Sequence, residues 1–275
     1  MAFKDILVHV EVDSTCPARL ETAVNLAVAH GAHLVGLHVR PPLHLPGAIS
    51  PDFGGEIARL HGLYTNEAAA RAKQSFERAV GLAGLSSEWR EVRGDLIESV
   101  AVHARYCDLA VVGQSDTAID GERRLADHLP LASGTPVLIV PCVGRYPTVG
   151  ERVLLGWDAS REAKRAMSDA LPILSQAKRV VVLAVNPQEG KTAHGEVPCA
   201  DIALHLARHG VRAECSAIPA QDLEVGSVLL SRAADEGSDL IVIGAYGHSR
   251  LKELILGGTT RHLLAHMTVP VLMSH

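Results

Sequence analysis

The feature that most constrains this chain is that it is written twice. Asp108-Leu109-Ala110-Val111-Val112-Gly113 recurs as Asp239-Leu240-Ile241-Val242-Ile243-Gly244, and Thr135-Pro136-Val137-Leu138 recurs as Val269-Pro270-Val271-Leu272. The openings match as well. Ile6-Leu7-Val8-His9-Val10-Glu11 and Val153-Leu154-Leu155-Gly156-Trp157-Asp158 are apolar runs ending in a carboxylate, each followed shortly by Ser or Thr and then a helical pattern. A repeat of this length makes the fold two copies of one unit rather than one large domain. The stretch from Pro141 to Gly150 has two prolines and two glycines and punctuates the chain as a linker does. The expected domains are therefore 1–144 and 151–275. Matching positions are 147 apart at the first strand and 131 apart at the fourth, so the first half is longer; its surplus falls most naturally in a Pro/Gly-rich loop from Pro41 to Gly62.

Within each half, short β-branched runs alternate with amphipathic ones. In the second half the pattern predicts strands near 152–158, 179–186, 211–218, 239–244 and 269–273, with helices between them. Short strands joined by helical crossovers make a parallel sheet with right-handed connections, helices on both faces and binding at the carboxyl edge. Aromatic residues make up only 3% of the chain, so the core must be Val, Leu, Ile and Ala, which suits strands buried on both faces. The fold class is α/β, as two doubly wound parallel-sheet domains.

A formal net charge of −5 with interspersed signs offers no basic face for nucleic acid. No apolar run reaches the roughly 18 residues of a membrane span, and the N-terminus enters a strand-like run without a leader, so a cytoplasmic protein is expected. The five cysteines are scattered, with no pair at CxxC spacing, and read as unpaired thiols in a reducing compartment. His205/His209 and His262/His266 each share a helix face, but two ligands do not close a metal site. Gly190-Lys191-Thr192 resembles the end of a P-loop, yet Val185 stands where its first glycine belongs.

The segment that carries chemistry runs from Ile243 to Leu264. Gly244 and Gly247 would let backbone approach an anion where a β-carbon obstructs it, Gly257 and Gly258 would bring a second run of N–H groups, and Thr259 and Thr260 add hydroxyls. The helix they open aims its unsatisfied N–H groups at the same place. On turn chemistry alone, Gly244 and Gly247 could equally form a plain turn and Thr259 a helix cap.

Here the sequence resembles the universal stress protein family, whose ATP-binding members carry Gly, two residues, Gly, nine residues, Gly and then a small hydroxyl residue. Gly244, Gly247 and Gly257 fit that spacing; Gly258 stands where Ser or Thr is usual, with Thr259 and Thr260 directly after it. The resemblance covers essentially the whole chain, and tandem members are familiar in the family. It implies the adenine-nucleotide alpha-hydrolase-like fold, a five-stranded parallel sheet of order 3-2-1-4-5 in each half. It also implies a cleft in which Gly156, Trp157 and Asp158 lie near the ribose or adenine, Val185 offers backbone groups to the base, and Ile243 and Gly244 begin the phosphate loop. Asp158 could instead only cap the following helix.

The first half departs from the pattern. Asp116 stands where Gly247 stands in the second copy, and Arg123 and Arg124 replace Gly257 and Gly258. A carboxylate repels phosphate and two long side chains fill the space its backbone contacts need, which makes this half structural or regulatory, unless the arginines hold another anion. The expectation is a stress-response protein that binds one ATP, or ADP or AMP, per chain in its C-terminal half, with Mg²⁺ as the companion ion and at most slow hydrolysis. A scaffold that binds partner proteins without nucleotide is the alternative, and an adenylate-chemistry enzyme a third reading. The closing strands are expected to pair the two halves, because an apolar edge such as Val271-Leu272-Met273 would otherwise be exposed; two chains could pair further into a homodimer.

Overall fold

A computed structural model describes residues 2–43, 51–115, 125–187, 199–220, 223–246 and 258–275, with backbone only at 51–53. The first half runs β1 (Asp5–His9), α1 (Cys16–His30), β2 (His33–Arg40), α2 (Pro51–Ala83), β3 (Ser87–Arg93), α3 (Leu96–Ala104), β4 (Leu109–Gly113), α4 (Leu125–Ser133) and β5 (Val137–Val140). The second continues through β6 (Arg152–Gly156), α5 (Arg161–Asp169), α6 (Leu171–Leu174), β7 (Arg179–Val185), α7 (Ala200–Arg208), β8 (Ala213–Ile218), α8 (Val225–Asp235), β9 (Leu240–Gly244), α9 (Gly258–His266) and β10 (Val271–Ser274).

All ten strands form one sheet of order β3-β2-β1-β4-β5-β10-β9-β6-β7-β8. Each run of five has the order 3-2-1-4-5 counted within its half, all parallel. The two runs meet where β5 and β10 pair antiparallel, with Leu138 opposite Leu272. Val137, Leu138 and Ile139 and their partners Met273, Leu272 and Val271 are all fully buried. What would be an apolar edge in either half is thus the centre of the sheet.

Alternate residues of the central strands feed opposite faces. Ile6, Val8, Val153 and Leu155 pack on one side with α1, α2 and α5, while Leu7, Leu154, Ala110 and Ile241 pack on the other with α3, α4, α8 and α9. Each core layer runs through both halves, which explains the uninterrupted apolar strands. The outermost strands β3 and β8 mix half-buried and exposed residues instead.

The repeated aspartate at the start of the fourth-strand motif has a structural cause. Asp108 accepts from the N–H groups of Lys4 and Asp5, at 2.6 and 3.2 Å, and Asp239 accepts from those of Gly150, Glu151 and Arg152 at 2.9–3.1 Å. Each fastens the entry of its half's first strand to that of the fourth.

Two sequence expectations need correction. The surplus between 41 and 62 is not one loop, because the 33-residue helix α2 already begins at Pro51. Proline is compatible with a helix's first turn, and the amphipathic pattern of 64–83 extends backwards through Gly54-Gly55, which one long helix tolerates at a modest propensity cost. The strands of the second half are also one or two residues shorter than the β-branched runs. Trp157 and Asp158 have left β6, and β10 starts only after Pro270, which has no N–H for a ladder.

Candidate functional site

In the second half, β6, β7 and β9 end together. Leu155 is level with Val242 and Gly156 with Leu183, so two residues on, Gly244 stands level with Trp157 and Val185 with Asp158. Gly156, Trp157, Asp158, Val185, Ile243 and Gly244 therefore share one sheet edge, as the strand order requires. Gly156 and Ile243 are close neighbours: a β-carbon on Gly156 would stand 3.0 Å from the Ile243 Cγ2.

The turn after β6 is built by local polar contacts. Trp157 N–H still donates to the Leu183 carbonyl at 2.9 Å, after which Ala159 takes a left-handed φ of 59°. Asp158 Oδ1 accepts from the Ser160 N–H at 3.0 Å, and Ser160 Oγ accepts from the Ala163 N–H at 3.1 Å. Ser160, not Asp158, is the N-cap of α5, and Asp158 shapes the turn that delivers it. The Asp158 side chain itself is exposed at the edge.

Gly244 has a packing reason that spacing does not reveal. A β-carbon there would lie 2.4 Å from both the Ala163 nitrogen and the Glu162 carbonyl carbon, so glycine is what allows the first turn of α5 to seat against the end of β9. Beyond it, Tyr246 adopts a left-handed φ of 66° and its hydroxyl donates to the Asp127 carbonyl of α4. The exit from β9 is in this way tied to the other half. Sequence reasoning missed Tyr246.

Gly247 and Gly257 lie outside the described residues, as do Lys191, Asp116, Arg123 and Arg124. Gly258 opens α9 and is exposed; among the described residues, a β-carbon added to it would meet only a Glu224 carboxylate oxygen, at 3.9 Å. Thr259 is half-buried, whereas Thr260 is 4% exposed and turns toward the core. Of the two hydroxyls, Thr259 is thus the accessible one.

The same edge in the first half is occupied differently. At the position of Gly156 stands His9, 1% exposed, with no hydrogen-bond partner for either ring nitrogen among the described residues. At the position of Ala184, by strand register, stands His38, whose Nδ1 lies 2.8 Å from the Val10 carbonyl and whose ring stacks on Trp89. At the position of Ala166 stands Arg19, 3% exposed, with Nη2 3.1 Å from Asp13 and Nη1 3.5 Å from Glu11. A β-carbon on Gly113, the counterpart of Gly244, would be 2.6 Å from that guanidinium. Burial pushes the His9 imidazole down to about 4, against the pull of Glu11. For Asp13, burial opposes ionisation, but Arg19 and the donors of Thr15 and Cys16 outweigh it and hold the carboxyl below its usual range. The signal for this cluster was present in the sequence: Arg19 interrupts the apolar stripe of Leu20, Ala23, Val24 and Ala27.

Among the described residues, no group of three or more His, Cys, Asp or Glu could hold a metal ion, and no helix is long and apolar enough to cross a membrane.

The model of the universal stress protein family matches residues 222–275. The universal stress protein Slr1230 of Synechocystis sp. is 45% identical over 38 residues, a stretch that spans 14% of this chain and only 13% of that relative. A universal stress protein from Archaeoglobus fulgidus DSM 4304 superposes with a TM-score of 0.76 at 16% identity, covering 98% of this chain and 95% of its own. The functionally unknown protein PA1789 of Pseudomonas aeruginosa PAO1 does so with 0.60 at 16%, covering 99% and 92%. Residues 222–275 thus carry the sequence of the universal stress protein family, and the fold of these structures extends over the whole chain.

Proposed function

We propose that the C-terminal half binds ATP, or ADP or AMP, at the carboxyl edge of β6, β7 and β9, and that this binding serves stress signalling with little or no turnover. The observation that supports the reading is the contrast between the two edges. Positions that carry His9, His38 and Arg19 in the first half carry Gly156, Ala184 and Ala166 in the second. A base and ribose there meet short, uncharged side chains and the exposed Asp158, a suitable acceptor for ribose hydroxyls. At the start of α9, the exposed Gly258, the Thr259 hydroxyl and the positive end of the helix dipole would attract a phosphate, against the repulsion of the nearby Glu224 carboxylate. Mg²⁺, when bound, supplies neutralisation of phosphate charge.

Titration calorimetry of Mg·ATP into the chain, stripped of carried-over nucleotide, tests the reading. One site per chain is expected, weakened at least about 100-fold by Gly247→Asp, which copies Asp116 of the first half and sets a carboxylate against phosphate. Two sites would refute the assignment of the first half. A folded chain that gives no heat and no binding in a second assay would leave the partner-binding scaffold as the better account.

A further inference from the structure

The junction of α8 and α9 holds three side chains in a relay that neither the fold nor the nucleotide reading requires. Glu224 is the N-cap of α8, yet its side chain makes no capping bond. Its Oε2 lies instead 2.7 Å from His262 Nδ1 on α9, while the opposite ring nitrogen, Nε2, lies 3.0 Å from the hydroxyl of Ser227 in the first turn of α8. The carboxylate fixes the imidazole proton on Nδ1, which leaves the Nε2 lone pair to accept from the Ser227 hydroxyl. Acid, histidine and serine are thereby in the order and within the distances of a nucleophilic triad.

Surrounding residues hold the ring in place. A β-carbon on Gly226 would come within 3.0 Å of His262 Cβ and Cδ2, so this glycine makes room for the imidazole. On the other side His266 stacks against it, with ring centroids 4.4 Å apart. The Val225 and Gly226 N–H groups belong to the first turn of α8 and have no intrahelical acceptor, which puts two donors beside Ser227 for a developing oxyanion. Ser227 is half-buried and the His262 side chain 20% exposed, so the relay is reachable.

We propose that Ser227, activated by His262 and Glu224, is a nucleophile toward small neutral carboxylic esters. The Glu224 carboxylate disfavours anionic substrates, and Leu223, 64% exposed, offers an adjoining apolar surface for an acyl chain. Ser227 Oγ attacks the ester carbonyl as its proton passes to His262 Nε2. The carbon–oxygen bond to the alcohol then breaks, the alcohol leaving with that proton. Water, deprotonated by the same nitrogen, cleaves the acyl-serine to release the carboxylic acid and restore the hydroxyl. No nucleotide takes part in these steps; because Glu224 stands beside Gly258, the test uses nucleotide-free chain, where its outcome does not depend on the nucleotide reading.

The test is labelling of the full chain with an uncharged fluorophosphonate ester, mapped by peptide mass spectrometry, alongside hydrolysis of p-nitrophenyl butyrate. Modification at Ser227 is expected, absent in Ser227→Ala and at least about 100-fold slower in His262→Gln. Glu224→Gln, at a position 50% exposed and hence tolerant for folding, should slow it too while circular dichroism stays unchanged. An unlabelled native chain, a label elsewhere, or equal rates in native and Glu224→Gln protein would overturn the proposal and leave the relay a hydrogen-bonded tie between two helices.

Discussion

The carboxyl edges of the two halves are built on the same strand order and diverge in what fills them. In the first, Arg19 reaches back from α1 to lie over Gly113 and pairs with Glu11 and Asp13, while His9 ends β1 and His38 stands two residues before the end of β2. In the second, the corresponding residues are Ala166, Gly156 and Ala184, and the space over Gly244 holds the backbone of α5. A cleft can therefore be closed from within, by a buried cation and its carboxylates, without any change in the sheet around it. The converse also holds. The two glycines that end β4 and β9 are spared a β-carbon for different reasons, one by a side chain and one by a helix.

That last difference gives the largest expected effect. Gly244→Ala drives a β-carbon into α5 backbone, which cannot step aside, and should cost about 3 kcal/mol; Gly113→Ala meets only the tip of Arg19 and should cost about 1. Urea denaturation of the two variants measures the gap, and equal losses would break the contrast. His9 supplies a nearly comparable effect that depends on pH. Its folded value of about 4 lies below the ordinary 6.5, so the folded state disfavours the charged form. Stability is then complete above 6.5 and is lost as pH falls toward 4, by up to about 3 kcal/mol for this one group. His30, His103 and His205 are also lowered, so the quantity to measure is the pH slope of the native chain minus that of His9→Gln. Identical slopes would show that His9 is not shut away from water.

Arg19→Met should rank next. It strands Asp13 and Glu11, but both carboxylates keep partial contact with water, at 34% and 43% exposure, which reduces a buried-pair penalty to about 2 kcal/mol. If the first edge is closed chiefly by this ion pair, the variant should also show the greatest loss of amide-exchange protection in α1. The smallest expected effect is Ser160→Ala, about 1 kcal/mol for a lost N-cap, seen as a small drop in the denaturation midpoint. A loss of nucleotide affinity larger than the loss of stability in that variant would sharpen the comparison, because it would tie the α5 turn to Asp158.

Much of the fold was legible because its signals are local or repeated. Fourth-strand motifs, closing Pro-Val-Leu runs and the linker can all be read by comparing the chain with itself. The α2 helix was misread as a loop because glycine and proline near its start resemble punctuation, whereas a long helix tolerates both there. At the candidate site, the residues at the strand ends follow from register once the strand order is granted. Arg19 was marked only by its place in an apolar stripe, which does not say what it pairs with, and Tyr246 did not emerge because its partner lies in the other half.

The sequence by itself determined the duplication, the alternation of strands and helices, and the clustering of glycines and hydroxyls after β9. These depend on side-chain periodicity and backbone freedom, which neighbouring residues carry in full. Only the tertiary structure decided that Gly244 serves helix packing, that Ser160 rather than Asp158 caps α5, that a buried arginine fills the first edge, and that Glu224, His262 and Ser227 converge. Each of these depends on which elements approach one another and how closely, a matter set by the packing of two core layers on one ten-stranded sheet rather than by any local run of residues.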